Sequence, residues 1–374
     1  MKIIQLVYAL GPGGAEHVAL DLANELYRRG HQVIVCAILD LSINIDIYTY
    51  GIKYLSDGVR YVNLKQNKGF NLKKLKTIES FIKSESPDVV HLHLNILPYI
   101  FNLSLHNKQI KFVYTFHNVA NKASGPILQI PINYIFFKYN KITPITISKE
   151  CDLSYKKYYH LNNSICIYNG RSIFSPTKRY DSVKEKINKL KKTDKTKVFI
   201  HLGRFHPQKN QILLIQAFNE IYKRGYDFIL LILGLKFDQE ETLFLRNMAC
   251  ERISFWGQQD NVSDYLFCSD AFCLSSFYEG LPISLLEAIS TGCVPICTPV
   301  GGIPDIIQDG KTGYLSKTVE LHDYIDAILN YLNNPNLIQR NSLIKYFKEN
   351  FSIEKTVDNY LQVYESKQES NTKI

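Results

Sequence analysis

Two consecutive α/β domains, each a parallel sheet with helices on both faces, are what this chain of 374 residues predicts. Three observations carry that expectation. Strand-length apolar runs alternate with helical stretches through both halves, the sequence pattern of parallel strands joined by crossover helices. The alternation breaks near Asn169 to Tyr180, where Asn169-Gly170 and Ser175-Pro176 interrupt regular structure. The length also supplies two cores, at about 150 residues each.

In the first half the predicted strands are Ile3 to Tyr8, Gln32 to Leu39, Arg60 to Leu64, Val89 to His93, Lys111 to Phe116, Pro144 to Ile147 and Ser164 to Tyr168. Helices are expected over Ala15 to Arg29, Leu72 to Lys83 and Lys149 to Tyr159. The second half opens with Lys184 to Lys197, a window of seven lysines that reads as a solvated helix. Its strands are expected at Val198 to Leu202, Phe228 to Leu233, Ile253 to Trp256, Ala271 to Leu274 and Val294 to Cys297. Helices are expected near Gln211 to Lys223, Glu240 to Ala249, Val262 to Phe267, Pro282 to Thr291 and Glu320 to Leu332.

Composition narrows the function classes. The apolar and charged fractions, 45% and 21%, are those of a soluble globular protein. No run approaches the roughly 18 apolar residues of a spanning helix. The opening Met1 to Tyr8 has a signal-like outline, but its apolar stretch is short, no small-x-small cleavage site follows, and a first buried strand explains it better. The eight cysteines include no C-x-x-C pair; Cys36, Cys166, Cys273 and Cys297 fall on apolar segments as core residues, and Cys268/Cys273 and Cys293/Cys297 lack the spacing of zinc ligands. A reducing cytoplasm is therefore expected.

Residues 1 to 170 carry 19 Lys+Arg against 11 Asp+Glu, whereas residues 171 to 374 carry 25 against 24. The basicity sits in the first half, without a nucleic-acid-binding motif, so nucleic acid is not an expected partner. Phe70 to Lys83 reads as a basic amphipathic helix, with apolar residues at 72, 75, 78, 81 and 82. Lys73, Lys74, Lys76 and Lys83 would meet an anionic membrane surface there, although an ordinary surface helix has the same pattern.

The chemistry concentrates at Ser275-Ser276-Phe277-Tyr278-Glu279-Gly280-Leu281-Pro282, which runs into a helix carrying Glu287. Gly280 is expected in a loop conformation closed to other residues, and Pro282 at a first helical position. The backbone N–H groups of residues 280 to 284 would form a helix N-terminus suited to a diphosphate. One carboxylate could accept from the vicinal hydroxyls of a ribose, the other from a transferred sugar. Arg204 and Lys209 follow the strand Val198 to Leu202 at the carboxyl end where open sheets bind ligands, and Gly203 lets the backbone approach closely. His91-Leu92-His93 puts two imidazoles on one strand face, but no third metal ligand is evident. Gly11-Pro12-Gly13-Gly14 is a near-match to a dinucleotide fingerprint, with Glu16 where the third glycine belongs.

With its flanks the two-glutamate segment resembles the signature of the retaining glycosyltransferases of family 4, which have the two-domain GT-B fold. The resemblance extends in order through Leu10 to Glu16, Arg29 to Val33, Pro87 to His93, Thr115 to Asn118, Ile147 to Lys149, Tyr168 to Gly170, Gly203 to Asn210, Gly292 to Pro295, Gly301 to Asp305 and Asp309 to Gly313, over about residues 1 to 365. Gly234-Leu235-Lys236 departs from it in lacking a second glycine, and Phe277-Tyr278 precedes Glu279 where the family varies.

The resemblance implies two Rossmann-like domains facing a central cleft, with residues 1–170 binding acceptor, 171–350 binding a nucleotide sugar, and 351–374 crossing back onto the first domain. It implies that Arg204 and Lys209 contact the diphosphate, that Glu287 binds ribose, and that Glu279 positions the donor sugar and supports positive charge at its ring. Gly203, Gly280, Leu281 and Pro282 would complete the donor site. Gly13 and Gly14 would offer N–H groups to donor phosphate or acceptor, and His117 would contact the donor sugar near the reacting centre. No Asp-x-Asp element is present, so no metal and no other cofactor is expected.

The activity so implied is retaining transfer of a hexosyl or N-acetylhexosaminyl group from a nucleoside-diphosphate sugar, with uridine as the expected base. The acceptor would be a glycan or lipid-linked glycan of a surface polysaccharide such as capsule or lipopolysaccharide, reached from the cytoplasm at the inner face of the cell membrane. An epimerase or phosphorylase on the same fold and a non-catalytic subunit are the competing readings. A hydrolase is disfavoured because its two carboxyls must flank one bond, whereas here one glutamate is expected at the ribose.

Overall fold

The computed structural model describes residues 1–366 except 12, 40–50, 68, 70, 95, 126–128 and 238. It divides into two compact units: Met1–Arg171 together with the chain from Ile353 onward, and Ser172–Ser352. Pro12 of the expected glycine loop and Phe70 of the expected amphipathic helix lie outside the described residues.

In the first unit the elements run β1 (Lys2–Val7), α1 (Gly14–Arg28), β2 (Gln32–Leu39), β3 (Arg60–Gln66), α2 (Leu72–Glu85), β4 (Val89–His93), α3 (Phe101–His106), β5 (Lys111–Phe116), α4 (Ala120–Ala123), α5 (Ile130–Lys138), β6 (Thr143–Thr146), α6 (Lys149–Tyr159) and β7 (Ile165–Cys166). The strands form one parallel sheet in the order β3-β2-β1-β4-β5-β6-β7. Strands β1, β2 and β4 are near-continuous Val/Ile/Leu because helices cover both faces of a parallel sheet. Side-chain caps start two helices: Asn71 accepts from the Lys74 N–H at α2, and Ser148 from the Cys151 N–H at α6.

The second unit runs α7 (Tyr180–Asn188), β8 (Lys197–Leu202), α8 (Gln211–Lys223), β9 (Phe228–Leu233), α9 (Leu243–Met248), β10 (Ile253–Gly257), α10 (Val262–Phe267), β11 (Ala271–Leu274), α11 (Ile283–Ser290), β12 (Val294–Cys297), α12 (Ile303–Ile306), β13 (Tyr314–Leu315), α13 (Leu321–Asn333) and α14 (Arg340–Asn350). Its parallel sheet has the order β10-β9-β8-β11-β12-β13. Both sheets reverse direction beside their first strand, between β1 and β4 and between β8 and β11. Such a switch point leaves a crevice at the carboxyl ends of the strands.

The last described helix, α15 (Ile353–Glu365), belongs to the first unit. The Ile353 N–H donates to Arg171 O at 3.1 Å, Thr356 Oγ1 to Tyr168 O at 3.1 Å, and Arg29 pairs with Asp358. Val357, Tyr360 and Tyr364 on its inner face are buried.

Four expectations are corrected. The helix before β8 is Tyr180–Asn188, its Val183 and Ile187 buried, so the lysine-rich window is helical only at its start. Cys166 is exposed because β7 is a two-residue edge strand, whereas Cys36, Cys273 and Cys297 are core residues. Pro282 is the N-cap of α11, with extended ψ, one residue before the first helical position.

The fourth correction concerns Lys74, which is buried: its Nζ donates to the carbonyls of Asn67 and Gly69 and lies 5.3 Å from the Tyr99 ring centroid. Lys73, Lys76 and Lys83 are exposed, but Ile78 and Ile82 of the same helix enter the core of the unit. No helix among the described residues is long and apolar enough to cross a membrane.

Candidate functional site

At the switch point of the second sheet, the loop after β8 and the loop after β11 are tied together. The Phe277 N–H donates to Gln208 O at 2.8 Å, and Ser275 Oγ donates to the carbonyls of Lys209 and Asn210, both at 3.0 Å. This stitching brings Lys209 Nζ to 2.7 Å from Glu279 Oε1. Side-chain exposure is 19% for Lys209 and 7% for Glu279, so the pair is largely shielded from water. Ser276 Oγ donates to the same carboxylate oxygen at 2.6 Å, and Gln208 Nε2 approaches Oε2 at 3.4 Å. A desolvated carboxylate persists because a cation and these donors satisfy it.

The Glu279 backbone is held as firmly. The Gly302 N–H donates to Gly280 O at 2.7 Å, and a Cβ on Gly301, whose φ is +61°, would lie 2.1 Å from Glu279 O. Gly280 itself is not among the residues with positive φ, which corrects the expectation placed on it: the position that requires glycine is Gly301. Leu281 is buried beside it. Helix α11 then carries Glu287 on its second turn, partly buried. Its leading N–H groups come from residues 283 and 284, since Pro282 has none.

Arg204 follows Gly203 at the end of β8, exposed, with no ion pair or hydrogen bond to its guanidinium among the described residues. Its loop is fixed from below. Gln211 Nε2 donates to Arg204 O at 3.0 Å and reaches His201 Nε2 at 3.4 Å, while His201 Nδ1–H donates to Cys273 O at 2.9 Å. Burial holds the His201 pKa down at about 4, so its Nε2 is an acceptor at neutral pH.

At the switch point of the first sheet the chemistry is uncharged. His91 and His93 on β4 are completely buried, their ring centroids 4.1 Å apart. His91 contacts Tyr364 OH through Nδ1 at 2.8 Å and Thr115 Oγ1 through Nε2 at 2.7 Å. His93 contacts Gln5 Oε1 through Nε2 at 2.7 Å and His117 Nε2 through Nδ1 at 2.9 Å. Thr115 Oγ1 continues to Tyr360 OH at 3.0 Å. Every ring nitrogen of the two strand histidines is therefore used in hydrogen bonding, and no group of three or more His, Cys, Asp or Glu among the described residues is arranged to hold a metal ion.

His117, just past β5, is partly exposed, and burial lowers its pKa to about 4. Gly13 is the N-cap of α1 and Gly14 its first residue, so their backbone groups stand at a helix start after β1.

The structure thus brings Lys209, Glu279 and the loop of Gly203 and Arg204 together in the second unit, with Glu287 on the adjoining helix. Gly13, Gly14 and His117 belong to the first. Residues missed in the sequence are Ser276 and Gln208, which lie inside quoted motifs and hydrogen-bond Glu279, and Gln5, Tyr360 and Tyr364, which carry no local signal.

Two family profiles match the chain: Glycosyltransferase Family 4 over residues 12–170 and Glycosyl transferases group 1 over residues 182–350. Among curated relatives, the N-acetyl-alpha-D-glucosaminyl L-malate synthase of Bacillus anthracis is 27% identical, across 94% of this chain and 93% of that protein. The UDP-Gal:alpha-D-GlcNAc-diphosphoundecaprenol alpha-1,3-galactosyltransferase of Escherichia coli is 25% identical across 79% of each. A solved glycosyltransferase from Rickettsia africae superposes with a TM-score of 0.81 at 17% identity, covering 99% of both chains. Two parallel-sheet units, each wound in the same strand order, are the GT-B fold, and the chain belongs to the group 1 glycosyltransferases of family 4.

Proposed function

We propose that this glycosyltransferase moves a sugar, with retention of anomeric configuration and without a metal ion, from a nucleoside-diphosphate sugar to a glycan or lipid-linked acceptor of a cell-surface polysaccharide. The observation that carries the reading is the shielded Lys209–Glu279 pair at the switch point of the second sheet. A glycosidic bond that breaks toward diphosphate needs positive charge at the leaving group and negative charge at the sugar ring. Lys209 supplies the first and Glu279 the second. The lysine ammonium has three donors, so it can keep its contact with Glu279 and still donate to phosphate.

Arg204 stands exposed one residue past the glycine, available to the same diphosphate, and the leading N–H groups of α11 add a third source of positive potential. Glu287 is assigned to the ribose and His117 to the sugar. Gly203, Gly280, Leu281 and Pro282 shape the donor loop, and Gly13 and Gly14 offer backbone N–H groups to phosphate or acceptor. In the proposed step the bond from the anomeric carbon to the phosphate oxygen breaks and a bond to the acceptor oxygen forms on the same face. The acceptor proton passes to the departing phosphate.

The UDP-galactose and diphosphoundecaprenol named for the Escherichia coli relative support a uridine donor and a lipid-linked acceptor. The exposed Lys73, Lys76 and Lys83 remain the proposed contact with an anionic membrane; Lys74 is withdrawn from it. Incubating the purified chain with a panel of sugar nucleotides in the presence of chelator tests the reading. A UDP-sugar is expected to raise the melting temperature and to yield an α-linked product from an α-linked donor. Product of inverted configuration, activity that returns only with divalent metal, or stabilisation by no sugar nucleotide would overturn it.

A further inference from the structure

Tyr364 on α15 has one hydroxyl proton and two neighbours, His91 Nδ1 at 2.8 Å and the Gln5 side-chain amide at 3.5 Å. The Gln5 amide stands with Nε2 toward Tyr364, donating to its phenol oxygen, and with Oε1 toward His93, 2.7 Å from its Nε2, which leaves the phenol proton for His91 Nδ1. An amide oxygen cannot donate, so His93 carries its proton on Nε2 and presents Nδ1 as a lone pair. His117 Nε2, 2.9 Å from that lone pair, must then be the protonated nitrogen of its own ring.

We propose that Gln5 and His93 are positioning residues for His117: they fix it in the Nε2–H tautomer and leave Nδ1 as a hydrogen-bond acceptor for a hydroxyl of the donor sugar, with Tyr364 accepting from Gln5 at the far end of the chain. The sugar contact rests on the function proposed above; the tautomer rests on the hydrogen bonds alone. Nδ1 of His117 has no hydrogen-bond partner among the described residues and is not among the buried unsatisfied atoms, so it is reachable. Burial keeps His91, His93 and His117 neutral at physiological pH, which a directional relay of this kind requires. A sugar hydroxyl can donate to such a nitrogen, whereas toward the N–H of the other tautomer it would have to turn and accept instead.

Long-range proton–nitrogen spectra of the full-length protein with labelled histidine read the tautomer directly, with the His117 signals assigned by their loss in His117→Gln. The expected spectrum shows an unprotonated Nδ1 and a protonated Nε2 in the wild type, and averaging between the two tautomers in Gln5→Leu. Donor kcat/KM in Gln5→Leu should fall about tenfold, the equivalent of one fixed hydrogen bond. Tyr364→Phe should move the spectrum in the same sense while keeping the shape of the core.

A wild-type His117 protonated on Nδ1, or an unchanged tautomer in a folded Gln5→Leu, overturns the proposal and leaves the functional reading standing. The expected spectrum combined with full turnover in His117→Gln overturns it from the other side, because His117 would then not meet the sugar.

Discussion

The two units share a strand order and differ in the electrostatics of their switch points. Between β8 and β11 the second unit keeps opposite charges, Lys209 and Glu279, in a shielded place. Between β1, β4 and β5 the first unit keeps neutral imidazoles, hydrogen-bonded in series from Tyr360 and Tyr364 to His117. One topology thus offers two solutions to a buried polar site: neutralise a charge with its opposite, or remove the charge and fix the proton. The first suits a reaction that separates charge, the second a contact that must orient a hydroxyl.

The largest expected effect breaks the charged solution. Lys209→Met and Glu279→Gln should each lower turnover by about 10² to 10³, the usual loss for one preorganised charge-stabilising group. The double variant should lose less than the product of the two, since both act on one charge separation. Stability should behave oppositely: Lys209→Met strands a shielded carboxylate at a cost of about 3 to 5 kcal/mol, and adding Glu279→Gln should recover much of it. Turnover near wild type in both single variants would reduce the pair to a structural ion pair.

Acid separates the two solutions next. Burial depresses the pKa of His91 and His93 well below the usual value, that of His117 to about 4, and that of His17, beside Arg171, to about 3. The unfolded chain takes up these protons near pH 6.5 while the folded one refuses them, so each group's stabilisation is complete above pH 6.5 and is lost as pH falls toward the folded pKa. The slope is at most about 1.4 kcal/mol per pH unit for each histidine. Four such groups lie in the first unit, whereas His201 is the buried one in the second. The first unit should therefore unfold at the higher pH. Trp256, the single tryptophan of the chain, sits on β10 and reports only the second. Far-UV circular dichroism should lose amplitude before Trp256 fluorescence changes, and coincident transitions would sink the idea.

How legible each site was in sequence follows from how local it is. Glu279, Lys209 and Gly203 sit in short motifs at strand ends, where alternation of strands and helices already says that ligands bind. The relay in the first unit was half visible: His91 and His93 stood out on one strand face, but Gln5 meets Tyr364 across 359 positions, and no local pattern encodes that. Among the fold elements, α5 was missed because Pro131 lies in its first turn and its buried Phe136 and Phe137 are adjacent rather than spaced as a stripe. Strand β13 has only two residues, too few for a period. Lys74 was misread because charge alone cannot reveal that backbone carbonyls of Asn67 and Gly69 await it inside.

A smaller effect tests how rigidly the second site is built. In Gly301→Ala the new Cβ meets the carbonyl of Glu279, which cannot rotate away, and a left-handed φ adds about 1 to 2 kcal/mol on its own. Lower stability and lower turnover should appear together, because the backbone displaced is the one that aims Glu279. Loss of stability with unchanged turnover would mean that the carboxylate position does not depend on this contact.

Gly13 in the first unit should respond least, and for a reason that makes it useful. Its φ is −90°, open to any residue, and the Cβ of Gly13→Ala would meet Glu16 Oε2 at 2.3 Å, the far end of a flexible side chain that can swing aside. Exchanging glycine for alanine at an N-cap costs no more than about 1 kcal/mol, a shift of about 2 to 4 °C in melting temperature for a unit of this size. What the methyl does change is how near a ligand can come to the N–H groups of residues 13 and 14. A rise of several-fold in donor or acceptor KM, with kcat almost unmoved and the melting temperature lowered by no more than that shift, is therefore the expected outcome and would identify a close backbone approach. If KM for both substrates is also unmoved, the glycine loop of the first unit contacts neither, and the neutral relay ending at His117 is left as that unit's only proposed hold on the reaction.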